Sequence, residues 1–234
     1  MSVLTDSQGW ITRINPDKKP LLIMLSDSSS VVLLSGSVLK YPSIFEADKR
    51  EVRLTGEAFF EISKHPDQPF FVHTQTITTR VVGTSFNVRA YDNEPDVNVT
   101  VKTGKVSVYS TTEDGLAVFD NTVLLLPDQR VIYDKVANKM YQPLTGSGDV
   151  QLALNNASFE FVDVPVTTIL DSIASVYGLQ MDYNQAGLKK CILTTSLTDV
   201  PLPGKLKIIC KALGQTANYE ITDSGIVIHG NGCD

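Results

Sequence analysis

Short segments in which apolar and polar residues alternate fill the chain from Leu21 to about Tyr141. Alternation with a period of two places every second side chain on the same face of a β-strand. The clearest segments, which are separated by Gly, Asp, Asn and Pro residues, are Val52–Leu54, Glu57–Ser63, Phe70–Thr74, Arg80–Tyr91, Val97–Val101, Val106–Tyr109, Val123–Leu126 and Val131–Tyr133. Their spacing predicts a mainly β N-terminal domain of sandwich, barrel or β-solenoid-like type rather than a parallel sheet covered by helices.

Two details of this pattern predict local pairing and burial. The three valines of Val97–Val101 share one face, and Val106 and Val108 repeat the pattern after Thr103-Gly104. This arrangement predicts a β-hairpin. The run Leu124–Leu126 does not alternate, so we expect a strand that is covered on both faces.

A change of composition marks a domain boundary. Thr145–Asp149 is small, polar and rich in glycine, as flexible linkers are. We therefore predict an N-terminal domain over residues 1–144, a linker over 145–156 and a second domain over 157–234.

The second domain contains an internal repeat. Phe159–Phe161 has the pattern of a strand, and the apolar residues from Val166 to Tyr177 recur at the spacing of one helix face. A shift of 36 positions places this segment on residues 195–213, with Lys205 standing opposite Ile169 as the one departure. Two strand-helix-strand copies followed by a closing strand, Gly225–His229, predict a small α+β domain of duplicated βαβ type.

Composition and charge exclude some classes of function. The 234 residues are 42% hydrophobic, which is enough for packed cores, and the formal net charge is -6 with Lys and Arg scattered, which argues against nucleic-acid binding. No apolar run approaches the roughly 18–20 residues that cross a bilayer. We therefore expect the chain as given to be soluble. Met1–Trp10 lacks the features of a secretory signal, so any export signal has been removed or lies elsewhere.

Groups able to carry catalysis or bind a metal are sparse. His65, His73 and His229 are not at metal-ligand spacing, and the sequence contains neither a phosphate-binding glycine loop nor a nucleophile elbow. We expect solvated histidines, no cofactor, no metal and no enzymatic activity. Alternation places Glu57 and Glu61 on one strand face about 13 Å apart, where we expect them to be solvated.

The three cysteines give no disulfide pattern. Cys191, Cys210 and Cys233 are widely spaced and odd in number, which fits neither a disulfide scaffold nor a metal site. We expect small buried residues and one thiol near the C-terminus.

Four motifs in the β-rich half together resemble the FecR domain over roughly residues 20–135. They are Leu33–Pro42, Val52–Glu61, Pro69–Val72 and Val82–Tyr91. Asp27-Ser28-Ser29 departs from the Asp-Gly turn that is common in the family. Residues 157–230 resemble the C-terminal domain that follows FecR domains in Bacteroidetes proteins, which is similar to the short signalling domain of secretins and TonB-dependent receptors.

The resemblance implies a transmembrane anti-sigma regulator of which this chain is the periplasmic part. Such a chain binds the signalling domain of a TonB-dependent outer-membrane receptor and relays ligand status to a sigma factor across the inner membrane. The sigma factor would be reached only through a cytoplasmic segment missing here, and a missing transmembrane helix would anchor the chain. No nucleic acid or small-molecule substrate is expected.

The sequence offers two sets of candidate site residues. Partner binding by pairing of sheet edges favours the second domain, with Phe159 and Phe161 on one candidate edge strand and Ile226 and Ile228 on another; interior, fully paired strands are the equal alternative. Gly83-Thr84 is similar to a motif at which some FecR-type proteins cleave themselves. A simple kink in a β-strand is the preferred interpretation of that dipeptide.

The competing function is a carbohydrate-binding or structural β-domain of an exported protein, because β-sandwich surfaces with exposed aromatic residues often bind sugars. Trp10 is the only tryptophan. Its place near the N-terminus, outside the expected core, weakens this alternative.

Overall fold

The computed structural model describes residues 2–111, 117–142, 157–198, 200–222 and 225–233. The chain divides into two compact units, residues 1–151 and 152–234. The predicted linker over 145–156 lies outside the described residues.

The first unit is built from β-strands, which confirms the predicted mainly β class. In chain order the strands are β1 Ser2–Thr5, β2 Trp10–Asn15, β3 Leu21–Met24, β4 Ser30–Leu33, β5 Ser37–Pro42, β6 Arg50–Glu61, β7 Phe70–His73, β8 Ile77–Val81, β9 Ser85–Ala90, β10 Asp96–Thr103, β11 Val106–Thr111, β12 Ala117–Leu125, β13 Arg130–Asp134 and β14 Lys139–Tyr141.

The strands form two layers that share β6. The first layer has the order β1-β2-β5-β6-β7-β8-β11-β12, and the second contains β3-β4-β6-β9-β10-β13-β14. The first half of β6 pairs with β5 and β7, and its second half pairs with β4 and β9. Hydrogen bonding is therefore continuous from one layer into the other.

One apolar core lies between the layers. In the second layer the inward positions Val131, Val99, Val88, Ala58 and Leu33 stand opposite one another on successive strands and are fully buried. Phe60 reaches across the core, because its ring stacks on Phe86 at 5.2 Å and lies 6.4 Å from Phe70 of the first layer. Burial of each such side chain contributes about 1.5–3 kcal/mol.

Gly56 permits β6 to pass from one layer to the other. Its φ of +97° is one that residues with a Cβ rarely adopt, and a Cβ there would lie 2.7 Å from Cα of Ser37. The Ser37 hydroxyl occupies this space and accepts a hydrogen bond from the backbone N–H of Glu57 at 2.7 Å. The bend of β6 therefore requires a residue without a side chain at position 56.

Three local predictions for the first unit are wrong. β10 and β11 do not form a hairpin, because β10 pairs with β9 and β13 while β11 pairs with β8 and β12. The connection at Thr103-Gly104 crosses between layers. Leu124 and Leu126 are exposed and only Leu125 is buried, so the leucine run alternates like an ordinary surface strand. The predicted segment Arg80–Tyr91 is interrupted between β8 and β9.

The second unit confirms the repeated strand-helix-strand pattern. Its elements are β15 Glu160–Pro165, α1 Val166–Tyr177, β16 Met181–Tyr183, α2 Gln185–Leu188, β17 Ile192–Ser196, α3 Leu202–Leu213, β18 Asn218–Thr222 and β19 Gly225–His229. Both long helices have 12 residues, follow a proline and end before a glycine of positive φ. Their first residues are 36 positions apart, as the repeat requires.

Lys205, the departure in the repeat, is completely buried. Its ammonium group donates to the backbone carbonyl of Val200 and lies over the rings of Phe159 and Tyr177 at 4.8 Å and 5.6 Å. A buried cation is stabilised by such a carbonyl and by aromatic faces. In the second copy of the repeat, the methylene stem of Lys205 therefore packs in the position that Ile169 has in the first copy. The carbonyl and the two rings stabilise the ammonium charge.

Cys191 and Cys233 form a disulfide, which corrects the expectation of unpaired cysteines. The fold brings their Cα atoms to 5.6 Å although the residues are 42 positions apart. Sequence spacing alone does not reveal such a pair. Cys210 is a buried free thiol, and burial raises its pKa.

Among the described residues, no helix is long and apolar enough to cross a bilayer.

We expect Gly56→Ala to lower the free energy of unfolding by more than about 2 kcal/mol, because the change adds both backbone strain and a clash with Ser37. Urea unfolding monitored by circular dichroism measures the loss. Gly9→Ala is the matched control, since Gly9 also has positive φ but has more room, with Ser43 Oγ at 3.6 Å. Equal destabilisation by the two changes would contradict the role of the close approach at Gly56.

We expect the double substitution Cys191→Ser/Cys233→Ser to cost about 2–4 kcal/mol, because the disulfide closes a long loop. Thermal unfolding with and without dithiothreitol measures this loss. Reductant should destabilise the wild type and leave the double variant unchanged; an equal response of both proteins would show that the disulfide does not stabilise the second unit.

Candidate protein-binding site

Two small sheets in the second unit offer edges to a partner strand. β15 pairs with β17 in a two-stranded ribbon, and β16, β19 and β18 form a three-stranded sheet in that order. An unpaired edge presents backbone N–H and C=O groups on which an added strand can bind. Whether an edge is regular enough to pair with another strand can be judged from the register of the strands.

The edge of β17 is regular. Leu197 N–H donates to the Phe159 carbonyl and Val166 N–H donates to the Cys191 carbonyl, so these pairs face inward. In an antiparallel pair, the backbone groups of successive residues point alternately toward and away from the partner strand. Given the register of β15 and β17, the backbone groups of Ile192, Thr194 and Ser196 therefore point away from β15. They form an evenly spaced row of donors and acceptors.

The edge of β15 is irregular. The register shifts between Phe161 and Val164, which makes a bulge, and Asp163 in this bulge has a φ of +52°. Pro165 has no N–H to donate. Bulges and prolines protect a sheet edge from pairing, so β17 is the better docking strand.

The outward face of the ribbon carries apolar and acidic groups side by side. Val162 and Ile192 are 73% and 65% exposed. Thr194 accepts a hydrogen bond from the N–H of Asp163 at 2.9 Å and donates to its carboxylate at 3.1 Å. Glu160 accepts from Ser196 and Thr198. The exposed surface is thus rigidly held by cross-strand hydrogen bonds.

The prediction that Gly225–His229 is an edge strand is wrong. β19 is the middle strand, parallel to β16 and antiparallel to β18, and Ile226 and Ile228 are buried. β19 lies between β16, which belongs to the first copy of the repeat, and β18, which belongs to the second. Its apolar side chains therefore belong to the core.

The other predicted edge strand, Phe159–Phe161, contains one buried residue and one partly exposed residue. Phe159 is 2% exposed and lies beside Tyr177 and Phe161, with ring centroids 6.1 Å and 6.5 Å away. Phe161 is half-buried on β15. A partner-binding role for β15 stays a prediction, whereas β17 was missed although its alternating Ile192–Ser196 pattern is visible in the sequence.

The hydroxyl of Tyr183 connects β16 to α1. Tyr183 donates to the Asp171 carboxylate at 2.6 Å. Burial, and then this hydrogen bond, raise the pKa of Tyr183 to about 12. The phenol therefore remains protonated and holds the helix.

The candidate cleavage site lies in the first unit between β8 and β9. Thr84 is 3% exposed, and its hydroxyl donates to the Lys105 carbonyl at 3.1 Å. A Cβ on Gly83 would lie 2.7 Å from Cα of Lys64, so the glycine is required by close packing. Gly83 does not have positive φ. The contacts give both residues a structural role, and self-cleavage stays a prediction.

The carboxylates Glu57 and Glu61 are buried, contrary to the expectation of solvated positions. Glu57 accepts hydrogen bonds from Asn87 at 3.0 Å and from Arg89 at 2.7 Å. Glu61 accepts from the Ser30 hydroxyl at 3.0 Å. Alternation located them on one strand face but could not show that this face is covered.

The histidines differ from one another. His65 and His229 are exposed, as expected. His73 is half-buried, with Nδ1 3.0 Å from the Thr78 hydroxyl and Nε2 3.4 Å from Glu51. Burial is the main cause of the lowered pKa of His73, and Glu51 opposes this shift. Among the described residues, no group of His, Cys, Asp and Glu has the geometry of a metal site.

Comparison with known proteins gives a family match over part of the chain and a shared fold. Residues 16–107 match the family described as FecR protein. A comparison with curated proteins finds no match. Two crystal structures of a candidate anti-sigma factor from Parabacteroides distasonis, at 2.50 Å and 1.65 Å, are similar at 24% identity. The alignments cover 94% of this chain and 99% and 98% of theirs, with TM-scores of 0.54 and 0.53, which shows a shared fold.

The self-cleavage hypothesis predicts a fragment that begins at Thr84. Attack of the hydroxyl would turn the Gly83–Thr84 amide into an ester and free the Thr84 amine, after which water would hydrolyse the ester. Thr84→Ser should retain the fragment and Thr84→Ala should abolish it. Mass spectrometry of aged protein decides the matter, and a single intact species in the wild type would contradict the hypothesis.

We expect His73 to make the first unit less stable in acid. Because burial lowers its pKa, its stabilising contribution is fully present above the ordinary value of 6.5 and is lost as the pH falls through the lower folded-state value. Glu51 opposes this shift, and Arg53 and Lys49 reinforce it. Urea unfolding at about pH 7.5 and pH 5 should show a smaller acid loss in His73→Gln than in wild type. Equal losses would contradict the prediction.

Proposed function

We propose that this chain, whose residues 16–107 match the family described as FecR protein, is the periplasmic signal-receiving part of a transmembrane anti-sigma regulator. In this proposal it binds the signalling domain of a TonB-dependent outer-membrane receptor and relays ligand status to a sigma factor across the inner membrane. The sigma factor is contacted by a cytoplasmic segment outside this sequence. The family match and the fold shared with the candidate anti-sigma factor support the regulatory role.

The disulfide supports a periplasmic location. Structural disulfides persist in oxidising compartments such as the periplasm and are rare in the bacterial cytosol. Cys191 is 2% exposed, so reductants reach this side of the bridge only after the unit opens. A chain that carries this bond is suited to an exported location.

The open edge of β17 is the observation that carries the partner-binding proposal. Its outward backbone groups at Ile192, Thr194 and Ser196 are spaced as an incoming strand requires. The exposed side chains of Ile192, Thr194 and Ser196 lie on that strand, and Ile192 supplies apolar contact. Backbone pairing gives affinity, and these side chains give specificity.

The polar groups of the first unit fit a binding protein better than an enzyme. Arg89 is hydrogen-bonded to both Glu57 and Glu94. The hydrogen bond to Glu94 is the main cause of the raised pKa of Arg89. Groups engaged with each other in this way stabilise the sheet and are not available to act on a substrate.

We expect Ile192→Pro to weaken binding of a cognate receptor signalling domain about tenfold. The change removes one outward N–H and places a ring on the β17 edge, without touching the bonds to β15. Isothermal titration of the full chain with purified signalling domains of TonB-dependent receptors from the same organism measures the effect.

Ile192→Thr is the matched control, because it keeps the N–H and a β-branched side chain. We expect its affinity to remain within about threefold of wild type. Absence of binding to every signalling domain tested would refute the proposed function. Equal binding by Ile192→Pro would refute β17 as the docking edge while leaving the partner class intact.

A further inference from the structure

The outer face of the first layer combines cations and aromatic rings. The residues that define this cationic-aromatic face are Trp10, Lys40, Arg53, Phe71, His73 and Arg80. The register places Lys40 opposite Arg53, Arg53 opposite His73, and Phe71 opposite Arg80 on neighbouring strands. The side chains therefore project from the same side of the sheet, away from the core.

Positive charge on this face is incompletely balanced. Lys40 and Arg53 stand directly opposite each other, an arrangement that is destabilising for like charges. Asp6 pairs with Lys40 at 2.9 Å, and Glu51 is shared by Lys49 and His73. In the described part of the chain, Arg53 and Arg80 are exposed and have no carboxylate partner. The face keeps two arginines whose charge an anion could neutralise.

Aromatic rings hold the cations in place. Arg53 and Lys40 lie 5.4 Å and 5.8 Å from the ring of Trp10. Phe71 and His73 stack at 6.1 Å between Arg53 and Arg80. Such contacts reduce the freedom of the side chains before a partner arrives, which lowers the entropic cost of binding. Trp10 therefore belongs to the sheet but lies outside the apolar core, as its position in the sequence predicts.

Exposed leucines lie toward both ends of the same face. Leu4 of β1 stands opposite Thr12, in the row of Lys40 and Arg53, and is 60% exposed. Leu124 of β12 stands opposite Ser107, in the row of Arg80, and is 56% exposed. Seven strand spacings separate β1 from β12, which makes the face about 34 Å wide.

We propose that the cationic-aromatic face binds an extended acidic protein segment that also carries apolar side chains. Seven strand spacings equal the length of about ten residues of extended chain. Exposed arginines beside aromatic rings are the composition of binding hot spots between proteins. The acidic character of the segment follows from the two unbalanced arginines, and its apolar side chains follow from the leucines at the ends. This site is separate from the β17 edge and does not rest on the receptor proposal.

The single tryptophan makes the proposal directly testable, because Trp10 lies in the site and no other tryptophan contributes fluorescence. The probe is a synthetic peptide of about ten residues with alternating Glu and Leu. Titration into the full chain should change Trp10 fluorescence to saturation, and added salt should weaken the effect. The same peptide with Gln in place of Glu should bind at least about tenfold more weakly.

The key variant is Arg53→Gln/Arg80→Gln, which should weaken binding of the Glu peptide at least about tenfold. The matched control is Lys18→Gln/Lys19→Gln, which removes two charges from the exposed turn between β2 and β3 and should leave the affinity unchanged. Both variants alter exposed side chains, and circular dichroism checks that they fold. Comparison of the two double variants distinguishes binding at the cationic-aromatic face from nonspecific attraction to positive charge.

Three results would overturn the proposal. One is no saturable change with the Glu peptide, and another is equal loss of affinity in the variant and its control. The third is concentration-dependent self-association in sedimentation that Arg53→Gln/Arg80→Gln abolishes, since that would make a second copy of the chain the occupant. The receptor titration is unaffected by any of these outcomes, so the two proposals fail independently.

Discussion

The bend of β6 at Gly56 is the constraint on which the first unit depends. A single strand supplies partners to β5 and β7 on one side of the bend and to β4 and β9 on the other. The two layers are therefore linked by continuous hydrogen bonding and not only by a loop. Because a Cβ at Gly56 would meet the backbone of Ser37, the whole sandwich relies on the one residue type that fits there.

Buried charged side chains form hydrogen bonds between the strands of the first unit, and the strands hold these side chains in place. Arg50 is completely buried, donates to Asp27 and to the carbonyls of Gln68 and Ser63, and lies over the ring of Phe70. Removing one partner from such a group would leave an uncompensated charge, which costs more than the pair itself contributes. These networks therefore specify the arrangement of the strands more than they add net stability.

The two binding proposals use surfaces with different physical properties. The β17 edge offers backbone hydrogen bonds, which are directional and insensitive to the partner's charge. The cationic-aromatic face offers cations and rings, whose attraction is weakened by salt and selects for acidic segments. In the two proposals, the surfaces therefore select their partners by different physical criteria.

Periodic features could be predicted from the sequence: β-strands between Leu21 and Tyr141, the two helices 36 positions apart and the glycines that end them, whereas β1 and β2 were not predicted. Local patterns encode these because each depends on neighbouring residues along the chain. The folded structure was needed to show that β10 and β11 lie in different layers, that Cys191 bonds to Cys233, that β19 is interior, and that Glu57 is buried. These facts depend on which distant strands pair, and alternation specifies which face a side chain takes but not what lies opposite it.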